Sequence, residues 1–217
     1  MMRFAACAAC VCALISSVAW AQDRPVADPS TPKGVLVKLW TAVVQKDKPA
    51  LKECFTGRAE YLKILDGLFA FSAAAFDFRD ALVKAYGPDA WETYTTVSVP
   101  RAFVPQIPPR DTAWLDGLEI QVDGDKASYV NPWTKRKDEL VRKDGKWFVL
   151  LSESAGPAQG LRFLYVVGTK VLREGIAEAG KEKKPTLTEL KAALGEKFAA
   201  ALQSLREKEK DKSGKKK

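Results

Sequence analysis

The sequence predicts an α+β domain in which an antiparallel sheet packs on helices, with extra helices at the C-terminus. Apolar residues recur at helical spacing between residues 33 and 86. Two Asp-Gly pairs between short alternating runs then indicate two β-hairpins within residues 118–151. Two amphipathic helical runs follow in residues 161–205. Helices therefore stand before and after a block of strands, which is the order of an α+β fold.

Residues 1–21 have the pattern of a secretion signal. Arg3 supplies a positive start, residues 4–18 are an apolar run, and Ala19-Trp20-Ala21 is a small-x-small cleavage site. The apolar run is too short to span a bilayer as a helix. We therefore expect a secreted or periplasmic protein that is cleaved after Ala21. Anchoring to a membrane by the signal or by a lipid is the alternative.

The composition excludes several kinds of catalytic and metal site. The chain contains no histidine, which rules out Ser-His-Asp and Cys-His catalysis and every His-ligated metal site. Three of the four cysteines lie within the signal, so the mature chain would keep only Cys54 and would form no internal disulfide. We predict that Cys54 is a buried thiol, with an intermolecular disulfide as the alternative. We expect no metal and no cofactor.

The net charge of +8 at pH 7 is concentrated near the C-terminus. Residues 206–217 contain seven basic and three acidic residues, a net +4. This basic tail has no apolar residues, so we predict that it is disordered. A weak contact with anionic polymers or lipid headgroups of the cell envelope is its alternative role. A nucleic-acid partner is not expected for an exported protein.

The N-terminal half is predicted to be a linker followed by helices. Residues 22–32 are rich in Pro, Asp and Ser and are interpreted as the linker. Three helical segments follow, from near residue 33 to 46, from 48 to Gly57 and from 59 to Tyr86, with one more turn at 89–94. Pro49 suits the first turn of the second segment, and Gly87-Pro88 ends the third.

Strands are predicted after a segment, residues 97–115, whose four prolines allow at most an edge strand. The predicted strands are residues 118–122, 125–130, 139–143 and 146–151. The Asp-Gly pairs at 123–124 and 144–145 predict two-residue loops of type I′. The first hairpin has one apolar and one polar face, so one of its sides is expected to face water. The second is apolar on both faces, as in strands covered on two sides.

Two helices are predicted to follow the sheet domain, which is assigned to residues 33–155. Residues 156–160 break the strand pattern, and an amphipathic helix then runs from residue 161 to 179, where Gly180 ends it. The last helix begins at Thr186 and continues to about residue 205. Thr186 and Glu189 have the spacing of a capping box.

Helices followed by a meander that carries Val122-Asp-Gly-Asp-Lys-Ala-Ser-Tyr-Val130 and Leu140-Val-Arg-Lys-Asp-Gly-Lys-Trp-Phe148 resemble the nuclear-transport-factor-2-like superfamily. The resemblance is greatest to exported bacterial members of unassigned function, and it covers about residues 33–151. It implies a curved, cone-like sheet wrapped on helices, with a pocket at its open end. The superfamily includes ketosteroid isomerase, polyketide cyclases, dehydratases and members that only bind or associate, so the fold does not select a function.

An arginine on an apolar helix face gives the candidate binding site. Arg79 falls at the centre of the apolar face of the helix that spans residues 61–86. A guanidinium is not left unpaired in an apolar interior, so Arg79 either meets a structural partner such as Glu119 or Asp80, or turns outward, or faces a cavity. In the last case it would clamp an anionic or carboxylate-bearing ligand. The candidate ligand-binding residues are Arg79, Tyr61, Ser72 and Tyr86.

These observations favour an exported, non-catalytic domain that binds a small anionic or apolar ligand or a partner in the envelope, and a homodimer is left open. The alternative is a cofactor-free enzyme of the isomerase, dehydratase or cyclase type that uses Asp and Tyr in the cone pocket. No residue is assigned a catalytic role. A dry pocket with a perturbed ionisable pair would favour the enzyme, and a filled cone would favour the interaction protein.

Overall fold

The computed structural model describes residues 27–105, 107, 109–132, 134–152 and 157–214. The helices are α1 (Pro32–Gln45), α2 (Lys48–Glu53), α3 (Ala59–Leu62), α4 (Leu65–Tyr86), α5 (Ala90–Thr96), α6 (Ala158–Ala179) and α7 (Leu187–Gly214). The strands are β1 (Phe55–Gly57), β2 (Gln121–Asp123), β3 (Lys126–Val130), β4 (Lys137–Lys143) and β5 (Lys146–Leu151). The predicted signal, residues 1–21, lies outside the described residues.

The sheet has the order β1-β5-β4-β3-β2 and is curved and unclosed. Strands β2 to β5 form an antiparallel meander, so the predicted α+β class is confirmed. The assignment of residues 55–57 to the second helix is wrong. These residues form β1, which pairs in parallel with β5, and the backbone N–H of Val149 donates to the Cys54 carbonyl at 2.8 Å. Such a pairing over almost a hundred positions leaves no local signal.

The two hairpins differ in their turns. In the second, Lys143 pairs with Lys146 and both loop residues have positive φ, 51° at Asp144 and 75° at Gly145, so the predicted type I′ turn is confirmed. In the first, Asp123 pairs with Lys126. The loop is therefore Gly124-Asp125 and not the predicted 123–124. The positive φ of 58° falls on Gly124, as in a type II′ turn and not the predicted type I′. Moving the loop by one residue shifts the pairing by two, so the predicted faces are unchanged.

Helix α1 covers one face of the sheet and is anchored at its start. The Thr31 hydroxyl accepts from the Gly34 N–H at 3.0 Å, and Pro32 occupies the first turn. The backbone N–H of Trp147 donates to the Pro29 carbonyl at 2.8 Å, so the end of the predicted linker packs against β5. The buried apolar residues of this layer are Val35, Leu36, Val37, Cys54, Leu115, Ala127, Tyr129, Leu140, Trp147 and Val149. The prediction of a buried Cys54 thiol is confirmed.

Helix α4 lies between the sheet layer and the C-terminal helices. On one side Leu65 and Phe76 pack with α1, α2 and α3, and on the other Phe78 and Leu82 pack with α5, α6 and α7. The predicted single segment from 59 to 86 is interrupted at residues 63–64, where α3 ends and α4 begins. The helices after the sheet therefore pack on α4 and extend its core.

Glycines allow α6 to approach α4 closely. A Cβ atom at Gly168 would lie 2.5 Å from Cε2 of Phe71, and one at Gly175 would lie 2.6 Å from Cε2 of Phe78. Real Cβ atoms do not come this close to ring carbons, so the phenyl rings of α4 occupy the space that side chains on α6 would need. Close packing of this kind transmits any added volume to its neighbours.

A buried lysine connects α7 to the end of α5. Lys191 is only 2% exposed, and its ammonium donates to the carbonyls of Val97 at 2.7 Å and Thr95 at 3.2 Å. The same nitrogen lies 5.4 Å from the ring centroid of Tyr94. A cation at a helix C-terminus satisfies carbonyls that have no partner within the helix. Burial lowers the pKa of Lys191, but the carbonyls and the ring hold the charged form.

Helix α7 begins with the predicted capping box. The Glu189 N–H donates to the Thr186 hydroxyl at 3.3 Å, and the Thr186 N–H donates to the Glu189 carboxylate at 2.8 Å. The helix continues to Gly214, past the predicted boundary at residue 205. In the part of the chain that the structure describes, no helix is long and apolar enough to cross a membrane.

We predict that Gly168→Ala and Gly175→Ala each destabilise the protein by about 1–3 kcal/mol, because the new methyl group overpacks the contact with α4. Gly160→Ala is the matched control on α6, since its Cβ would meet no atom within 4 Å. Alanine there should stabilise the helix by about 0.5–1 kcal/mol. Urea unfolding followed by circular dichroism measures all three. Equal effects at the three positions would contradict the packing described for α6.

We predict that stability falls as the pH rises above about 9. Burial raises the pKa of Cys54 from its ordinary 9.0 to about 11, so in this window the unfolded chain loses a thiol proton that the folded chain keeps. Burial also raises the pKa of Tyr94 and Tyr129, which extends the loss of stability above pH 10. Urea unfolding between pH 7 and 11 measures the slope. Cys54→Ala should flatten its first part, and an unchanged slope in that variant would contradict the assignment.

Candidate functional site

The four residues predicted to bind a ligand lie along α3 and α4 in different surroundings. Tyr61, on α3, is 2% exposed and packs in the core that includes Leu51 and Phe76. Ser72 and Arg79 are half-buried on α4. Tyr86, the last residue of α4, packs against the core of the C-terminal helices. A helix of 22 residues is about 33 Å long, so the structure does not bring the two tyrosines together.

Tyr86 holds the connection between α6 and α7. Its hydroxyl donates to the Pro185 carbonyl at 2.7 Å, and the Lys184 ammonium lies 5.0 Å from its ring centroid. Lys184 also donates to the Ala85 carbonyl at the end of α4. Burial raises the pKa of Tyr86. These contacts give Tyr86 a structural task at the end of α4.

Arg79 is half-buried, and among the described residues its side chain forms no ion pair and, like those of Tyr61 and Ser72, no hydrogen bond. Of the two partners considered from the sequence, Asp80 pairs with Arg110, and Glu119 is exposed on the segment before β2. Its role in ligand binding stays a prediction, as do those of Tyr61, Ser72 and Tyr86.

The face of the sheet beneath α1 is filled. Val35 and Leu36 of α1 are 1% and 3% exposed, and Leu140 and Trp147 of the sheet are equally buried, at 1% and 3%. All four belong to one apolar core. Among the described residues this side of the sheet is a packed interior, where the family resemblance implies a pocket.

The opposite face, which we call the open face, carries a groove of about 390 Å³ along β2, β3 and β4. The registers place Lys126 beside Val141 and Ser128 beside Glu139 on this face. Val141 and Leu150 contribute apolar surface to the groove, and Gln121 and Ser128 contribute hydrogen-bonding groups. The charged side chains that line the groove are Asp123, Lys126, Lys137 and Glu139.

The lysines of the open face form no ion pairs within the described residues. In the described part of the chain Lys126, Lys137 and Lys146 form no ion pair, and Lys143 donates to the Thr56 hydroxyl at 3.0 Å. Lys143 and Lys146 stand directly opposite each other, an arrangement that destabilises a hairpin. The sequence pattern alone does not mark these residues as a site, because alternating lysines in a strand are also typical of a hydrated face.

A second group of ionisable side chains connects the sheet to α6. The Tyr129 hydroxyl hydrogen-bonds to the Asp138 carboxylate, and the Asn131 amide donates to that carboxylate at 3.0 Å. Burial, followed by the Asp138 charge, raises the pKa of Tyr129 and also that of Tyr165 on α6, and Arg136 lowers the latter. The sequence carries no signal for this group, because Tyr129 and Asp138 meet only through the pairing of β3 with β4.

Within the described residues, no three His, Cys, Asp or Glu side chains come close enough to hold a metal ion. No family model matches the chain, and the searches of curated proteins and of solved structures find no match. Function is therefore inferred from the geometry of the chain itself.

We predict that Asp138→Asn lowers the pKa of Tyr129 and Tyr165, because it removes the negative charge that disfavours their ionisation. It should also destabilise the fold by about 1 kcal/mol or more, because the Tyr129 hydroxyl loses a charged acceptor. Ultraviolet difference titration of the tyrosines measures the first effect, and urea unfolding the second. Glu119→Gln, which removes an exposed charge on the segment before β2, is the control. Identical tyrosine titrations in the two variants would exclude the contact.

Proposed function

We propose that this protein is an exported, non-catalytic binding domain that holds a small ligand with an anionic group on the open face of its sheet. One observation carries the proposal. A groove of about 390 Å³ lies beside lysines without ion-pair partners among the described residues, and the other face of the sheet is filled.

The groove has the properties of a ligand site. Its volume falls within the roughly 300–1,000 Å³ of small-molecule sites. Lys126 and Lys137 supply charge-assisted hydrogen bonds to a carboxylate or a similar anion, and Val141 and Leu150 supply apolar contact. Ligand sites combine apolar surface with a small number of polar groups that fix orientation, and the groove offers both.

A non-catalytic role is supported by where the perturbed groups lie. The thiol and hydroxyls whose pKa values burial raises most belong to Cys54, Tyr94 and Tyr129, and all three are in packed cores. Enzymes of the acid–base type place such groups in their clefts. The groove is instead lined by Asp123, Lys126, Lys137 and Glu139, of which only Glu139 is half-buried.

One observation favours the rival proposal, a cofactor-free isomerase, dehydratase or cyclase. Asp138 lies within the electrostatic influence of two tyrosines with raised pKa values, Tyr129 and Tyr165, and Asp and Tyr are the residues that this chemistry would use. The variant Asp138→Asn distinguishes the two proposals. It should abolish an acid–base activity that uses Asp138, whereas ligand binding in the groove should be unchanged.

Three further expectations belong to this proposal. Membership of the nuclear-transport-factor-2-like superfamily is supported by the helix-first order and the curved meander, but the parallel β1 is an addition to the antiparallel sheet that was expected. A weak envelope contact through residues 206–217 and a homodimer stay predictions, as does export itself.

The proposal is tested by native mass spectrometry of the protein from its own host and by titration with 8-anilinonaphthalene-1-sulfonate, an apolar fluorescent anion. We expect Lys126→Gln and Lys137→Gln each to weaken dye binding about tenfold or more, as for the loss of one hydrogen bond to a charged group. Lys63→Gln, at an exposed lysine of the helical layer, is the control and should have no effect.

Arg79→Met is tested in parallel, because it separates the groove from the binding site predicted on α4. Unchanged binding in this variant is expected. If Arg79→Met abolishes binding and the two groove variants do not, the ligand site is on α4 and the proposed groove is wrong. If none of the variants changes binding, neither location holds the ligand.

A further inference from the structure

We propose that the ligand of the groove is zwitterionic, specifically a short peptide with a free amino and a free carboxyl end. This inference rests on the proposed function, since it names the ligand class of the same groove. The proposed function requires an anionic group on the ligand. The carboxylates of the groove indicate that the ligand also carries a cationic group.

The inference starts from the surroundings of Glu139. Its side chain is half-buried in the groove, opposite Ser128. Among the described residues it forms neither an ion pair nor a hydrogen bond. Partial burial of an ionised carboxylate is costly unless a cation or a donor compensates it. A ligand ammonium placed beside Glu139 supplies that compensation.

The groove keeps charges of both signs apart. Asp123 stands directly opposite Lys126 in the register, yet no ion pair joins them in the described structure, and Lys137 and Glu139 are likewise unpaired. The lining charges therefore sum to zero without cancelling locally. A purely anionic ligand would meet two carboxylates, and a purely cationic one would meet two lysines. A ligand with both charges complements all four side chains.

The spacing of the charges indicates the size of the ligand. Lys137 and Glu139 are two residues apart on one face of β4, which places their Cα atoms about 6.8 Å apart. An extended peptide spans at most about 3.3–3.6 Å per residue, so two residues match this separation of the Cα atoms. A third residue is accommodated because the long side chain of Lys137 carries its ammonium beyond its own Cα atom. The aliphatic surface of Val141 and Leu150 also lines the groove and accommodates an apolar side chain of such a peptide.

The test is isothermal titration of the full chain with the tripeptide alanyl-leucyl-alanine in three forms, free, N-acetylated and C-amidated. We expect the free tripeptide to bind at least tenfold more tightly than either blocked form. Glu139→Gln should abolish the preference for the free amino group, and Lys137→Gln should abolish the preference for the free carboxylate. Glu119→Gln and Lys63→Gln are the matched controls and should keep both preferences.

Three outcomes would overturn the inference. If the acetylated form binds as tightly as the free form, the groove recognises only the anionic group. The proposed function then holds, and the zwitterionic ligand is wrong. If no form of the tripeptide binds while the fluorescent anion does, the peptide assignment is wrong. If the protein binds phosphatidylethanolamine vesicles and not the tripeptide, the zwitterion is a lipid headgroup. Failure of the tripeptide and the fluorescent anion together would remove both the inference and the proposed function.

Discussion

The contact between α4 and α6 is the constraint on which the rest of the structure depends. Helix α4 is shared by two apolar cores, one with α1, α2 and α3 and one with α5, α6 and α7. The second core can form because Gly168 and Gly175 leave room for the rings of Phe71 and Phe78. The C-terminal helices are consequently part of the hydrophobic interior. Lys191 joins α7 to the end of α5, and Tyr86 joins the end of α4 to the connection between α6 and α7.

This arrangement places the helical mass on one side of the sheet and so decides where a ligand can bind. Helix α1 fills the covered face, and α4 joins that layer to the C-terminal helices. The open face keeps a groove whose charged side chains form no ion pairs among the described residues. The Asp138 contacts with Tyr129 and Asn131 brace the strands at one end, which supports a binding surface on rigid strands and not on loops.

Local features were predictable and long-range ones were not. The second Asp-Gly turn, the capping box at Thr186 and the buried Cys54 depend on residues close in sequence, and the structure confirms them. Strand β1 was missed because its partner β5 is almost a hundred positions away. For the site, helical spacing selected Arg79 and three residues of α3 and α4. The groove charges escaped selection because alternation in a strand does not reveal which face a helix will cover.

The sequence by itself determined the α+β class, the order of the main helices and of strands β2 to β5, and the absence of histidine chemistry, because these follow from composition and from spacing within a few residues. Only the tertiary structure decided that the covered face is filled, that Tyr129 meets Asp138, and that Glu139 stands half-buried beside unpaired lysines. Each of these depends on register and on packing between distant elements. The free energy that stabilises these contacts is shared among residues that lie far apart in the sequence and form no local pattern.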